Sequence, residues 1–255
     1  MIHSSAVIHS KAQIGSGCEI GPYCVIGEHV TLGDKCKLHS HVVIDGCTKL
    51  GKENEIFPFA SIGLKTQDLK WKGGITRTEI GNGNTFREYV TIHSATSDGE
   101  ITRVGSQNTI LAYCHIAHNC TLGDKIIMSN VATLAGHVSV EDHAVIGGLA
   151  AVHQFCRIGK LAMIGGCSKV VQDVPPFMIA DGNPAEARTI NKVGMERNGI
   201  FEEAQSALRQ AYKILFREGL SISNALVRIE QDLPLLPEVR HLVQFVRTSE
   251  RGISK

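Results

Sequence analysis

Four histidines, His115, His118, His137 and His153, are the residues whose type and spacing point most directly to chemistry. Imidazole changes charge near neutral pH and is a common general base. If residues eighteen apart stack in space, Gly136 stands one step above His118, and Gln154 one step above Gly136. His137 then stands above Asn119, and His153 above Ala135. His118, Gly136, His137, His153 and Gln154 converge on one edge, with His115 close to the same corner. A base at His118 can take a proton from a nucleophile, and the Gly136 N–H can meet an oxyanion. A second column runs Asn130, Gly148, Gly166. Two stacked glycines leave a groove without side chains that can admit a thin apolar chain, each of whose methylenes gains about 0.8 kcal/mol on burial.

The eighteen-residue step comes from a beat of six. Aliphatic residues recur from Ile2 through Ile8, Ile14, Ile20 and Ile26 to Ile62, again at Ile80, Phe86 and Ile92, and from Val104 to Val170. Four residues after these positions the side chain is usually small, as at Cys18, Ala60, Cys120 and Ala144. This is the hexapeptide period of a parallel β-helix, neither an amphipathic helix nor a simple strand. Three hexads make one coil, and coils stack at about 4.8 Å. Glycine often follows the aliphatic position, as at Gly15, Gly21 and Gly147, and is expected there to supply unusual backbone angles.

The beat breaks at residues 64–79, which hold Gln67, Asp68, Lys70 and Trp71, and at 97–103. Insertions in a solenoid emerge as loops, often on the binding face. Val174-Pro175-Pro176-Phe177 ends the strand pattern, because proline removes ladder donors. From Ile200 the period turns helical: Phe201, Ala204, Leu208, Ala211, Tyr212 and Leu215, with Gly219 as the stop. Ser221 or Ser223 caps a second helix and Pro237 starts a third. The expected organisation is a β-helix over 1–185 and a helical domain over 186–255 that covers one end of the solenoid.

The net charge of +1 argues against a general nucleic-acid binder. No stretch has the length and apolarity of a transmembrane span. The repeat begins at residue 2, so no signal peptide and a cytoplasmic location are expected. Six of the eight cysteines fall at the small corner position, where they read as buried reduced thiols.

His-Ile-Ala-His-Asn-Cys at 115–120, Leu-Ala-Gly-His-Val at 134–138, Ala-Val-His-Gln-Phe at 151–155, Gln67-Asp68-Leu69-Lys70 and Gln172-Asp173-Val174-Pro175-Pro176 together resemble the acyl-(acyl-carrier-protein)–UDP-N-acetylglucosamine O-acyltransferases of lipid A biosynthesis. The resemblance covers essentially the whole chain. It implies a left-handed β-helix and a homotrimer with active sites between subunits. It implies transfer of an (R)-3-hydroxyacyl group from acyl carrier protein to the sugar 3-hydroxyl, with no metal and no organic cofactor. His118 is then the general base and the Gly136 N–H the oxyanion donor. Gln67, Asp68, Lys70, His93, His115, His137, His153 and Gln154 line the substrate cleft. Asn191 and Arg197 match positions near the nucleotide. Gly148 and Gly166 belong to the acyl groove, and glycine at 166 implies a long chain of about fourteen carbons, packed methylene by methylene. An acidic carrier protein calls for a basic patch, for which Lys160, Lys169, Arg209, Lys213 and Arg217 are candidates.

The sequence departs from the family pattern at three places: Asn119 where Asp usually follows the catalytic histidine, Ser94 where Arg is common, and Val193 where some members have Glu. The Asn119 carbonyl can still orient the ring, with less charge stabilisation. The departures leave a 3-amino analogue of the sugar as an alternative acceptor. The rival readings are a related hexapeptide N-acyltransferase, a zinc enzyme using His115, His118 and His137, and a non-catalytic solenoid.

Overall fold

In the computed structural model, which describes residues 1–255, the chain winds as a left-handed parallel β-helix followed by helices. Three sheets of nine, eight and ten strands, parallel but for the last pair of the ten-stranded one, form the faces of a prism. The aliphatic residue of each hexad is the inward-facing member of a short strand, and it pairs with its counterpart one coil away. Ile8 pairs with Ile26, and Ile116 with Leu134. The step is eighteen residues except at the interruptions, where Ile62 pairs with Ile92 and Ile92 with Ile116, and in the last lap, where Ile158 pairs with Val174 and Ile164 with Ala180. The extra residues therefore leave as loops without disturbing the register. The stacked aliphatics and small corner residues form one continuous core of 42 buried residues. All six of the corner cysteines, Cys18, Cys24, Cys36, Cys114, Cys120 and Cys156, are buried and unpaired.

Gly63 has the expected left-handed backbone, with φ of 78°, but the other glycines after the aliphatic positions have a different cause. Gly15, Gly21 and Gly147 do not adopt left-handed angles. A Cβ on Gly21 would stand 2.8 Å from the His39 carbonyl carbon, and one on Gly147 would stand 2.6 Å from the Gly166 nitrogen. Close approach of the next coil, not backbone freedom, excludes a side chain there. The left-handed residue sits two positions later and is usually not glycine: His41, Asn119 and His137 have φ of 59°, 60° and 60°. Such a conformation costs energy in isolation and persists only where the surrounding structure fixes it. Here the hydrogen-bonded stack does so: the His137 N–H, for example, donates to the His118 carbonyl at 3.0 Å.

The three edges of the prism differ. One edge holds a buried asparagine ladder. Asn54 Oδ1 accepts from the Asn84 N–H at 3.0 Å, Asn84 Oδ1 from the Asn108 N–H at 2.9 Å, and Asn108 Oδ1 from the Ile126 N–H at 2.7 Å. A second edge carries exposed rings, with Phe59 stacked on Tyr89 and Tyr89 on Tyr113 at centroid spacings of 5.0 and 4.8 Å, and higher up Gly148 and Gly166. The third carries the histidines and both loops.

At the top, strand Met178–Gly182 pairs in parallel with Met163–Ile164 and antiparallel with Ala185–Ile190. Four helices follow: α1 (Lys192–Arg197), α2 (Glu202–Phe216), α3 (Ile222–Asp232) and α4 (Pro237–Arg247). Asn191 caps α1 and Ser221 caps α3, while Pro237 occupies the first turn of α4. A second core joins Leu208, Leu215, Ile229 and Leu242 to Leu161, Phe177 and Met178 of the last coils. The chain end returns to the solenoid, where Ile253 forms a parallel bridge with Asp173. No helix is long and apolar enough to cross a membrane.

Candidate active site

Residues 117–120, 135–138 and 153–156 are successive turns of one edge, and both loops leave from that edge in the coils directly beneath. The fixed eighteen-residue step brings His118 under Gly136. A Cβ on Gly136 would overlap the His118 ring at Cε1 and Nε2, so only glycine lets the imidazole occupy that place. Gly136 is buried, and its N–H donates to no group of the chain. Buried N–H groups without partners are rare, so this one is a natural anchor for an external acceptor.

His118 is oriented from its other nitrogen. Its Nδ1 lies 2.9 Å from Asn119 Oδ1. That oxygen also accepts from the Thr96 backbone N–H at 3.1 Å. Asn119 Nδ2 donates to Glu100 Oε2 at 2.8 Å, and the Asn119 N–H donates to Thr102 Oγ1 at 2.8 Å. The Asn119 side chain is thus held on three sides.

The first loop adds a carboxylate. Asp68 Oδ2 lies 3.8 Å from His118 Nε2, too far for a direct hydrogen bond. Asp68 is fixed by the Lys70 N–H at 2.9 Å, and its own N–H donates to Thr66 Oγ1 at 3.0 Å. The Thr66 and Thr96 hydroxyls meet at 3.2 Å, linking the two loops. The Lys70 N–H, more than any other contact, holds the Asp68 carboxyl below the usual carboxylate range.

The neighbouring rings differ from ordinary surface histidines. His137 meets His118 edge to face at a centroid distance of 5.3 Å, and His93 meets His115 likewise at 5.1 Å. Thr91 Oγ1 lies 2.7 Å from His115 Nδ1. Burial, reinforced by the His93 and His118 charges, pushes His115 down to about 4. Burial also lowers His93 and His137, with the His118 charge adding to each. These three rings are therefore uncharged hydrogen-bonding groups at neutral pH.

His118, Gly136, His137, His93, His115 and Asp68 come together. His153 and Gln154 lie on the same edge but are exposed, and His153 Nδ1 reaches only the Gln154 carbonyl at 3.1 Å. Gln67 and Lys70 point outward from the loop and are exposed. Gly148 and Gly166 stand on a different edge of the same chain. Neither has left-handed angles, and a Cβ there would meet nothing closer than 3.2 Å. Backbone geometry does not demand glycine at either, so what they contribute is the missing side chain. Asn191 is buried with its amide committed to the Gly194 N–H and the Leu161 carbonyl, and Arg197 is exposed at the end of α1. Within one chain neither adjoins His118. No three His, Cys, Asp or Glu side chains converge closely enough to hold a metal ion.

Glu100, Thr96, Thr66 and Thr91 were not foreseen. Glu100 had a usable signal: counting back eighteen from Asn119 lands on Ile101, its neighbour.

Residues 173–254 match the family profile described as UDP N-acetylglucosamine O-acyltransferase, domain 2, and residues 1–34 and 11–46 match the bacterial transferase hexapeptide profile. Among solved structures, LpxA from Acinetobacter baumannii is 46% identical with a TM-score of 0.97, covering 100% of this chain and 99% of that one. LpxA from Bacteroides fragilis, a UDP-N-acetylglucosamine acyltransferase, is 38% identical with a TM-score of 0.98 and complete coverage of both chains, 100% each. The UDP-N-acetylglucosamine O-acyltransferase of Moraxella catarrhalis is 42% identical with a TM-score of 0.95, covering 100% of this chain and 99% of that one. With that identity sustained end to end, this chain belongs to the UDP-N-acetylglucosamine O-acyltransferase family.

Proposed function

We propose that the chain transfers an (R)-3-hydroxyacyl group from acyl carrier protein to the 3-hydroxyl of UDP-N-acetylglucosamine, the first step of lipid A biosynthesis. One observation carries the chemical part of this reading: the His118 ring packs directly against Gly136, a buried residue whose N–H has no partner in the chain. His118 Nε2 takes the proton as the sugar oxygen attacks the thioester carbonyl. The carbonyl oxygen becomes an oxyanion and accepts from the Gly136 N–H. Collapse breaks the carbon–sulfur bond, and the imidazolium returns its proton to the departing thiolate. Uncharged His93, His115 and His137, with Asp68, Gln67 and Lys70, bind the sugar nucleotide and shield the reaction from water.

The active unit in this reading is a homotrimer. Base and glycine groove stand on different edges of one chain, so a neighbouring copy must bring its groove to this chain's His118. The exposed column beneath the groove supports burial of that edge, since Phe59 and Tyr113 are 45% and 57% exposed in the single chain. His153, Gln154, Asn191 and Arg197 then complete the cleft from either side.

The test uses purified protein, UDP-N-acetylglucosamine and a ladder of hydroxyacyl carrier proteins, with products read by mass spectrometry. The wild type is expected to favour a long acyl chain. His118→Ala should lower kcat by about 10²–10⁴ with an unchanged melting temperature. Full transfer by that variant ends the reading.

A further inference from the structure

We propose that Glu100 is a positioning residue for the general base: acting through the Asn119 amide, it fixes the His118 tautomer and places a negative charge behind the ring. The inference rests on His118 being the base.

The hydrogen-bonding pattern determines which way the amide points. A backbone N–H can only donate, so the Asn119 atom that meets the Thr96 N–H at 3.1 Å is the oxygen. An ionised carboxylate can only accept, so the atom that meets Glu100 Oε2 at 2.8 Å is the nitrogen. Asn119 Oδ1 therefore faces His118 Nδ1, and at 2.9 Å that nitrogen must carry the proton. The Nε2 lone pair is left free beside Gly136, as a general base requires. A flipped amide would put N–H against Nδ1, move the ring proton to Nε2 and leave no base.

Glu100 is itself held. Its Oε2 also accepts from the Ser97 N–H at 3.0 Å, and hydrogen bonds from Asn119 first and Ser97 next hold its carboxyl below the usual range. Across the loops, Asp98 Oδ1 accepts from the Ile75 N–H at 2.7 Å. The backbone of Asn119 does not depend on Glu100, because Thr102 Oγ1 takes its N–H. What Glu100 adds is an acceptor for one amide hydrogen and a charge. When His118 becomes imidazolium, a carboxylate linked through one polarised amide stabilises it, as a directly bonded carboxylate would do more strongly.

The test compares kcat, KM and pH profiles of wild type, Glu100→Gln, Asn119→Asp with Glu100→Gln, and His118→Ala. Glu100→Gln keeps the shape and removes the charge. It should lower kcat about tenfold or more with little change in KM for the UDP-sugar. The acid limb of its kcat/KM profile should move about one pH unit lower, since an imidazolium without its counter-charge loses its proton more readily. Asp68 and Lys70 from the first loop, His93 from the coil below, His115 from the same coil and His137 from above also face this site and are present in every variant. Adding Asn119→Asp puts a carboxylate directly on Nδ1 and should restore kcat and the acid limb. A rescued double variant also shows that Glu100→Gln folds. Unchanged kcat and acid limb in Glu100→Gln, a loss confined to KM or melting temperature, or failure of the double variant to recover would each overturn the proposal. If His118→Ala retains activity, the base assignment fails and this inference falls with it. If His118→Ala is inactive while Glu100→Gln is normal, only the role of Glu100 is lost.

Discussion

The edge that carries Asn54, Asn84 and Asn108 and the edge that carries Asn119 are built from the same parts, yet their hydrogen bonding ends differently. On the first, every amide oxygen accepts from the next coil and the amide nitrogens donate to glycine carbonyls, Asn84 Nδ2 to Gly105 at 3.0 Å and Asn108 Nδ2 to Gly123 at 3.0 Å. All three side chains are only 1% exposed. The polar groups cancel, and the edge does nothing but hold coils together. On the second, the Asn119 amide is just as fully engaged, but the groups it serves are not. One imidazole nitrogen and one glycine N–H remain over. In a solenoid of near-identical repeats, chemistry belongs where a stacked edge keeps a donor and an acceptor that the chain itself does not use.

The comparison can be broken most severely at Gly136. Gly136→Ala puts a methyl group where the His118 ring stands, displacing the imidazole proposed as the base and disturbing the N–H proposed as the oxyanion donor. Activity should fall by about 10²–10³, with only a small change in unfolding midpoint. A normal kcat would mean that the close stacking of these two residues is irrelevant to turnover.

The opposite result is expected on the ladder edge. Asn84→Ala strands the Gly105 carbonyl and the Asn108 N–H in the interior. Each such group costs about 1–3 kcal/mol, so denaturant unfolding should show a loss of about 3 kcal/mol, with kcat per folded molecule unchanged. A variant that is both stable and inactive would erase the distinction between the edges.

Acid should separate them more gently. His115 is held at about 4 by burial, whereas an exposed imidazole in the unfolded chain titrates near 6.5. As pH falls through that window the unfolded chain takes up a proton that the folded one refuses. Stability is therefore full above the unfolded value and is lost towards the folded one, by about 3 kcal/mol from this ring. The lowered His93 and His137 act in the same direction. Hydrogen exchange at pH 7 and pH 4.5 should show the histidine edge loosening first, because asparagine amides do not titrate. Equal loosening of both edges would count against this account.

The parts of this design that repeat were legible in the sequence. The six-residue beat located strands, corners and the stacking of Gly136 on His118, because a hydrogen-bonded coil leaves no freedom in register. The 3–4 spacing found α2, α3 and α4 for the same reason: a buried stripe must recur. α1 escaped because it is six residues long with one buried side chain, Met195, and so has no stripe to read. Its cap, Asn191, entered through family likeness as a nucleotide contact, while its amide serves α1 and Leu161. Thr96 escaped because it lies where the beat is broken and spacing no longer converts into position; Glu100 sits at the rim of the same break, one residue before the eighteen-residue step from Asn119 resumes at Ile101. Apart from Gly63, the glycines after the aliphatic positions answer to crowding between coils and not to backbone angles, and such crowding cannot be seen in one chain segment.

The fixed step of the winding also constrains how this gene can change length. Removing a single hexapeptide from the wall would turn everything above it by a third of a revolution, carrying His137 to another edge from the residues beneath it. Whole laps could be gained or lost with the prism intact. Changes in length other than whole laps find room only in the two excursions at the histidine edge, spanning 65–76 and 94–100, the segments that also carry Asp68, Thr96 and Glu100 beside His118 and Asn119.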